Sequence, residues 1–265
     1  MTLLKGNHIV VYFGLTICTI GTLLPIMWLI PAAFTKNAAL STENFREVVH
    51  VMGYSYANSL VIACVSTIMN VVVCSISDYT FARMDFRGRG FLYNVLFLPY
   101  LTPIVLLTIP LYVIFRALGV INTFVPLILL YQLLMGPVNI WILTDYIKSI
   151  PKEVEESALI DGCNQLQVFA RITLPLLASG IVSAALLSFI ASWNEFILAT
   201  TFLNVRNLYT FTKAIYIFSA VNPRGAIDWG FVSAASILGM SPLIVFLMIL
   251  RKYLVAGLAR GAVKG

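Results

Sequence analysis

The sequence predicts an all-α membrane protein with six transmembrane helices, and three observations carry that reading. Hydrophobic residues make up 60% of the 265 positions and charged residues 11%, against roughly 45–50% and 25% in soluble domains. The mean hydropathy is +0.94. The 17 basic and 11 acidic side chains gather between long uncharged runs. Too little polar surface exists to cover a water-facing core, which excludes an ordinary soluble enzyme, a disordered chain and a nucleic-acid binder.

The runs define the elements in order. The first extends from Gly6 to Thr35, and the second from Val48 to Ser77 with its apolar part starting near Tyr56. The third covers Gly90 to Phe115, the fourth Ala117 to Thr144, and the fifth Ile172 to Asn194, resuming after Glu195. The sixth is Trp229 to Leu250. A spanning helix needs about 20 apolar residues, and none of these runs shows the alternation of barrel strands. The expected spans are about 9–34, 56–81, 91–115, 121–145, 174–202 and 229–250, within one membrane domain covering 1–265. The first run is about twice as long as a signal-peptide core of 7–15 residues, so it is expected to stay as a span. Prolines such as Pro25, Pro99, Pro103, Pro110, Pro126, Pro137 and Pro242 fall inside the runs. Membrane helices tolerate them because neighbours satisfy the freed carbonyls.

An even number of spans puts both termini on one side. With the N-terminus inside, only Lys36, Arg46, Arg116, Arg206, Lys213 and Arg224 of the 17 basic residues lie outside. The positive-inside rule therefore places both termini in the cytoplasm. Cys18, Cys64, Cys74 and Cys163 have no metal-ligand spacing and read as small packing residues. The first outer loop, about Lys36 to Ser55, carries Glu43, Arg46 and Glu47. The segment Asn204–Asp228, with aromatic residues around Lys213, is expected at the outer interface.

The inner segment 148–173 reads KSIPKEVEESALIDGCNQLQVFARIT. Pro151 suits a first helical turn, and Glu153, Glu155 and Glu156 follow where a helix dipole favours acids. Gly162 permits a sharp turn. A second amphipathic stretch follows, with Leu166, Phe169 and Ala170 on one face, and Pro175 opens the fifth span. The result is a helix–turn–helix hairpin outside the bilayer, suited to presenting a knob to a partner.

This segment resembles the EAA motif of ABC importer permeases: Glu-Ala-Ala, three residues, Gly, nine residues, Ile-x-Leu-Pro. Here it reads Glu156-Ser157-Ala158, Gly162, then Ile172-Thr173-Leu174-Pro175, with Ser157 for the first Ala as the one departure. RMDFRGRG at 83–90 and Ser192-Trp193-Asn194-Glu195-Phe196 look like further signatures of the carbohydrate-uptake (MalG-like) group. The ending GLARGAVKG at 257–265 looks like a third. The resemblance implies a type I ABC importer permease fold, a second homologous permease, two ATPase subunits carrying ATP and Mg, and an extracytoplasmic substrate-binding protein. It also implies a prokaryotic inner membrane.

The resemblance further implies that Glu155, Glu156, Ser157, Ala158, Asp161, Gly162, Ile172, Leu174 and Pro175 couple to the ATPase. The tail residues Arg260, Gly261 and Lys264 would reach it as well. The chain itself would bind no cofactor and would be non-catalytic, importing a di- or oligosaccharide or a related polyol or glycerol phosphate.

Within the spans, Glu195 with Trp193 and Asn194 is a candidate for the translocation path or gate, or for a buried hydrogen bond. Asp78 and Asp145 read as solvated span ends. Asn58, Asn70, Asn139 and Gln132 could line a path or glue helices. No Gly-rich nucleotide loop is present, and His8 and His50 are isolated. The alternative class is a stand-alone ion- or proton-coupled carrier, for which only Glu195 is a candidate relay acid.

Overall fold

The computed structural model describes residues 8–36, 39–220 and 227–262. They group into two compact units, one from 1–53 with 215–241, the other from 54–214 with 242–265.

In the first unit, α1 (His8–Ala33) carries Pro25 and Pro31 and leaves nearly all its described side chains uncovered. Its threonines satisfy themselves: the hydroxyls of Thr16 and Thr19 donate to the carbonyls of Tyr12 and Leu15. That is how a hydroxyl survives on an apolar helix. The expected first outer loop is in fact largely ordered. Strands β1 (Thr35–Lys36) and β2 (Ala39–Leu40) pair antiparallel, and α2 (Glu43–Arg83) begins at once, with the Ser41 hydroxyl accepting the Glu43 N–H at 3.0 Å. Buried Asn44 donates to the carbonyls of Ala33 and Thr35 at 3.0 and 3.1 Å, tying the end of α1 to the start of α2. Lys36 pairs with Glu47 at 2.6 Å and Glu43 at 3.7 Å. That hydrogen bond to Glu47 raises the Lys36 amine above its ordinary value. Gly230 lies where a Cβ would stand 2.6 Å from Asn44 Nδ2.

In the second unit, the rest of α2 packs with α3 (Arg89–Leu101), α4 (Ile104–Ala117) and α5 (Val125–Lys148), the last of these 24 residues long. The stretch expected as one span over 91–115 is two helices bent by 100°. Pro103 has no N–H and forces the preceding residue out of the helical region, and Thr102 is extended at φ −92° and ψ 129°. The expected span 174–202 is also interrupted. After α6 (Lys152–Ile160), α7 (Gln165–Val168) and a π-turn at Phe169–Thr173, the short α8 (Leu174–Leu176) leads at Leu177 into α9 (Ala178–Asn194) with a 76° bend. Glu195 is extended, and α10 (Ile197–Phe202) starts anew. The described residues thus contain four unbroken apolar helices and two bent pairs, six if each pair is one span.

Three apolar clusters follow one another along α2 and α5. Ile62, Leu127 and Phe202 form the first, Cys74, Ile140 and Ala184 the second, and Tyr79, Ile147 and Leu177 the third. α5 and α9 approach closely at Gly180, where a Cβ would fall 2.8 Å from the Tyr146 ring, the small-residue contact typical of membrane helices. Between the apolar layers runs a polar seam. Asn139 donates to Asn70 at 2.5 Å and to Ser188 at 2.6 Å, and Thr144 donates to Asp78 at 2.8 Å. The seam corrects the expectation for Asp78. It is not a solvated end but is 0% exposed, because α2 continues to Arg83 and α5 covers it. Asp145 is exposed, as a span end should be. Two further elements complete the described chain, α11 (Phe211–Ala220) and α12 (Trp229–Ala262).

Candidate functional site: a braced helical hairpin

The hairpin 148–177 is shaped by local chemistry at each corner. Pro151 stands at the N-cap of α6, one residue before the helix, and Glu153 and Glu155 occupy the first turn. The Ser157 hydroxyl donates to the Glu153 carbonyl at 2.5 Å, so the departure from Ala costs no unsatisfied group. The helix ends at Gly162, whose φ is +91°. Cys163 N–H donates to Ala158 O at 3.0 Å and Gly162 N–H to Leu159 O at 3.1 Å. This paired closure needs a left-handed residue at the position of Gly162.

Asn164 then caps α7 reciprocally with Gln167, each contact 2.9 Å. The spacing Asn-x-x-Gln was present in the sequence as a start signal for the second helix.

The second arm differs from the expected amphipathic face. Leu166 is 74% exposed and Ala170 is exposed, while Val168 and Thr173 are buried and Phe169 is half-buried. The π-turn at Phe169–Thr173 widens the helix and rotates the inward face away from a simple three–four spacing. Ile160 is 86% exposed at the hairpin tip. The knob therefore presents Ile160 and Leu166 outward with the acidic Glu156 and Asp161, which are also exposed. Ala158 is buried, Ile172 and Leu174 are half-buried, and Pro175 is exposed.

On the inward side lies a group that sequence reasoning did not assemble. Glu155 is buried, unlike its neighbour Glu156. One of its oxygens lies 2.8 Å from Arg83 Nε, with both side chains under a tenth exposed, and the other accepts from Thr173 at 3.0 Å. The Arg83 contact is ionic; its Nε–H is not directed at the carboxylate. Arg83 also donates through one terminal nitrogen to the carbonyls of Ile147 at 2.9 Å and Ile150 at 2.8 Å. Tyr79 donates to Gln165 at 3.0 Å, and its ring meets that of Phe169 at 5.1 Å. Removing one partner of such a buried ion pair leaves a stranded charge, at a cost of about 3–5 kcal/mol.

The second expected cluster is dispersed. Trp193 is buried, its ring 5.4 Å from Tyr56 and 6.1 Å from Phe189. Asn194 is exposed and donates back to Ile190 at 2.9 Å. Glu195 accepts from the N–H groups of Leu198 at 2.7 Å and Ala199 at 3.0 Å and from Tyr131 at 3.0 Å. This is a cap on α10. The segment after α10 is fixed in place: Asn58 donates to the carbonyls of Asn207 and Tyr209, and Asn122 accepts from Asn204 at 2.6 Å. Lys213, expected at an interface, is 4% exposed and bonds the Thr200 and Leu203 carbonyls at 3.2 and 2.5 Å. Burial lowers its amine below the ordinary value. Of the tail residues, Arg260 and Gly261 fall within the backbone of α12, their side chains outside the described residues, and Lys264 lies outside them altogether.

Residues 79–260, which include the hairpin and its brace, match the family model described as the binding-protein-dependent transport system inner membrane component. The chain belongs to this family. It is 32% identical to the trehalose/maltose transport system permease protein MalG of Thermococcus litoralis, over 98% of each chain. It is also 32% identical to the diacetylchitobiose uptake system permease protein DasC of Streptomyces coelicolor, over 93% of each. Its fold is similar to that of a chain in a bacterial ABC transporter that imports the acidic polysaccharide alginate, with a TM-score of 0.79 over 94% of this chain and 98% of that one. At 20% identity that likeness is one of fold, and the fold is that of a type I ABC importer permease.

Proposed function

We propose that the chain is one permease half of an ATP-driven importer of sugars, and that the hairpin is where the ATPase acts on it. The observation that carries this reading is the two-sided hairpin. Its inner face is closed by Glu155, Thr173 and Val168, while Ile160, at 86% exposed, and Leu166 face outward, with Val154 and Leu159 less exposed beside them. Exposed apolar side chains on a rigid projection suit a partner groove. Glu156 and Asp161 surround them with polar contacts, Gly162 sets the bend, and Ile172, Leu174 and Pro175 join the knob to α9.

The substrate class follows from the relatives, whose names include trehalose, maltose and diacetylchitobiose. The assembly is a second homologous permease, two ATPase subunits holding ATP and Mg, and an extracytoplasmic binding protein that delivers sugar. The chain hydrolyses nothing itself. Both termini lie in the cytoplasm of a prokaryote, and Arg260, Gly261 and Lys264 extend toward the ATPase dimer. Asn194 faces the translocation path, with Trp193 and Glu195 packed behind it. ATP binding moves the hairpin, and the two permeases rock between inward- and outward-open states. The hairpin shifts that balance only because its contacts differ between the states.

The test is reconstitution of the chain with its partners into liposomes. Uptake should require ATP and the binding protein and should be lost in Glu156→Lys. Uptake driven by an ion gradient in the absence of an ATPase subunit would instead show a stand-alone carrier.

A further inference from the structure

The hairpin is joined to the rest of the second unit by two chain connections, and each interrupts the regular α-helix. On one side, Ser149–Pro151 links the end of α5 to α6. On the other, the π-turn and the 76° bend at Leu177 separate the second arm from α9. A displacement applied at Ile160 would be absorbed at these joints unless something bridges them. Arg83, the last residue of α2, does so at the first joint. Its terminal nitrogen holds the Ile147 carbonyl before the joint and the Ile150 carbonyl within it, and its Nε makes an ionic contact with the Glu155 carboxylate after it. Glu155 in turn holds Thr173 in the second arm, and Tyr79, one turn earlier on α2, holds Gln165 in that arm. The Arg83 and Glu155 side chains and Thr173 are buried, so sliding there would strand a charge, whereas Gln165 lies at the exposed edge.

We propose that Arg83 and Glu155 are positioning residues for energy coupling: they lock the hairpin to the ends of α2 and α5, so that the three shift as one body. The proposal rests on the reading of the hairpin as the ATPase contact and extends it inward. Motion then enters α2 directly, and not only through the bent connection to α9.

The direct test is a reversible lock, made in the reconstituted complex with Cys18, Cys64, Cys74 and Cys163 replaced. Tyr79→Cys and Gln165→Cys are joined by a reducible bifunctional thiol reagent, and binding-protein-stimulated ATP hydrolysis is read before and after joining. A change of less than about twofold is expected, because the joined residues do not move apart during the cycle. A loss of tenfold or more, regained on reduction, overturns the proposal. A second arm uses Arg83→Gln. Co-purification of the ATPase subunit should persist while stimulation of hydrolysis by the binding protein falls at least tenfold, with Arg83→Lys restoring part of it. Unchanged stimulation, or loss of the bound ATPase, contradicts a positioning role. Should Arg83→Gln fail to insert, the lock still decides. If the wild-type chain retains no ATPase subunit at all, the docking reading itself fails, an outcome distinct from a lock that stops hydrolysis in an assembled complex.

Discussion

Glu195 and Lys213 close opposite ends of the same short helix. Glu195 accepts the Leu198 and Ala199 N–H groups at the start of α10, and Lys213 binds the Thr200 and Leu203 carbonyls at its end. Each charge matches the helix dipole at its end. Six residues are too few to hold a helix by themselves, so the two end contacts add to the burial of Leu198, Ala199 and Phe202. Tyr209, whose ring centroid lies 4.4 Å from Lys213 Nζ, supports the cation.

This pairing makes a first prediction. Glu195→Ala should lower stability by about 1–2 kcal/mol, the usual worth of a lost N-cap, while Glu195→Gln retains an acceptor and costs less. Lys213→Met should cost about 1–3 kcal/mol, since it leaves buried carbonyls unpaired. Thermal unfolding of the purified protein in detergent, followed by aggregation or cysteine accessibility, checks the order of the three variants.

Gly162 carries the hairpin turn at φ +91° with nothing within 4 Å of a Cβ built on it. The penalty of a side chain there is purely one of backbone. Gly162→Ala should therefore cost about 1–2 kcal/mol and Gly162→Asn noticeably less, because Asn visits the left-handed region more readily. Gly180→Ala acts differently, by collision with Tyr146. Protease sensitivity of the hairpin should rise for Gly162→Ala and stay at the wild-type level for Gly180→Ala.

Asp78 is fully buried, with one oxygen held by Thr144 and the other, Oδ2, without a hydrogen-bond partner. Among the described residues no cation lies within ion-pair distance of it. Asp78→Asn keeps the acceptor for Thr144 and cannot become an unpaired buried charge, so it should leave the melting temperature unchanged or raise it. Asp78→Leu strands the Thr144 hydroxyl and should lower it. A fall for Asp78→Asn as large as that for Asp78→Leu would indicate that the ionised carboxylate is needed.

The Lys36–Glu47 contact links titration to stability in a known direction. The Lys36 amine is raised above 10.5, chiefly by its hydrogen bond to Glu47. The stabilisation is complete below the ordinary lysine value and disappears as pH rises through the higher folded value. For a partly exposed pair it amounts to about 0.2–1 kcal/mol. A double-mutant cycle of Lys36→Met and Glu47→Gln should show this coupling at neutral pH and lose it as pH rises through the raised lysine value.

Much of the fold and one face of the site were legible in the sequence, for reasons that particular residues make plain. The apolar runs are long enough to fix the helices, and the Gly162 turn has an unmistakable local signal. The breaks are another matter. Pro103 ends a helix, whereas Pro110 and Pro137 sit inside intact ones, because the cost of a proline depends on whether neighbours satisfy the freed carbonyl. The burial of Glu155, and not of adjacent Glu156, depends on Arg83, which is far away in sequence. Local spacing does not encode that pairing. The outward turn of Leu166 follows from a π-turn that no periodicity announces.

The most direct measurement concerns the outward face of the hairpin. Ile160→Glu and Leu166→Glu change exposed side chains without touching the Arg83–Glu155 brace, so folding should be preserved. The expected result is normal insertion with loss of the co-purifying ATPase subunit and at least a tenfold fall in ATP-driven sugar uptake. Full retention of the ATPase subunit and of uptake in the doubly substituted protein would contradict the assignment of this hairpin as the point where ATP-driven motion enters.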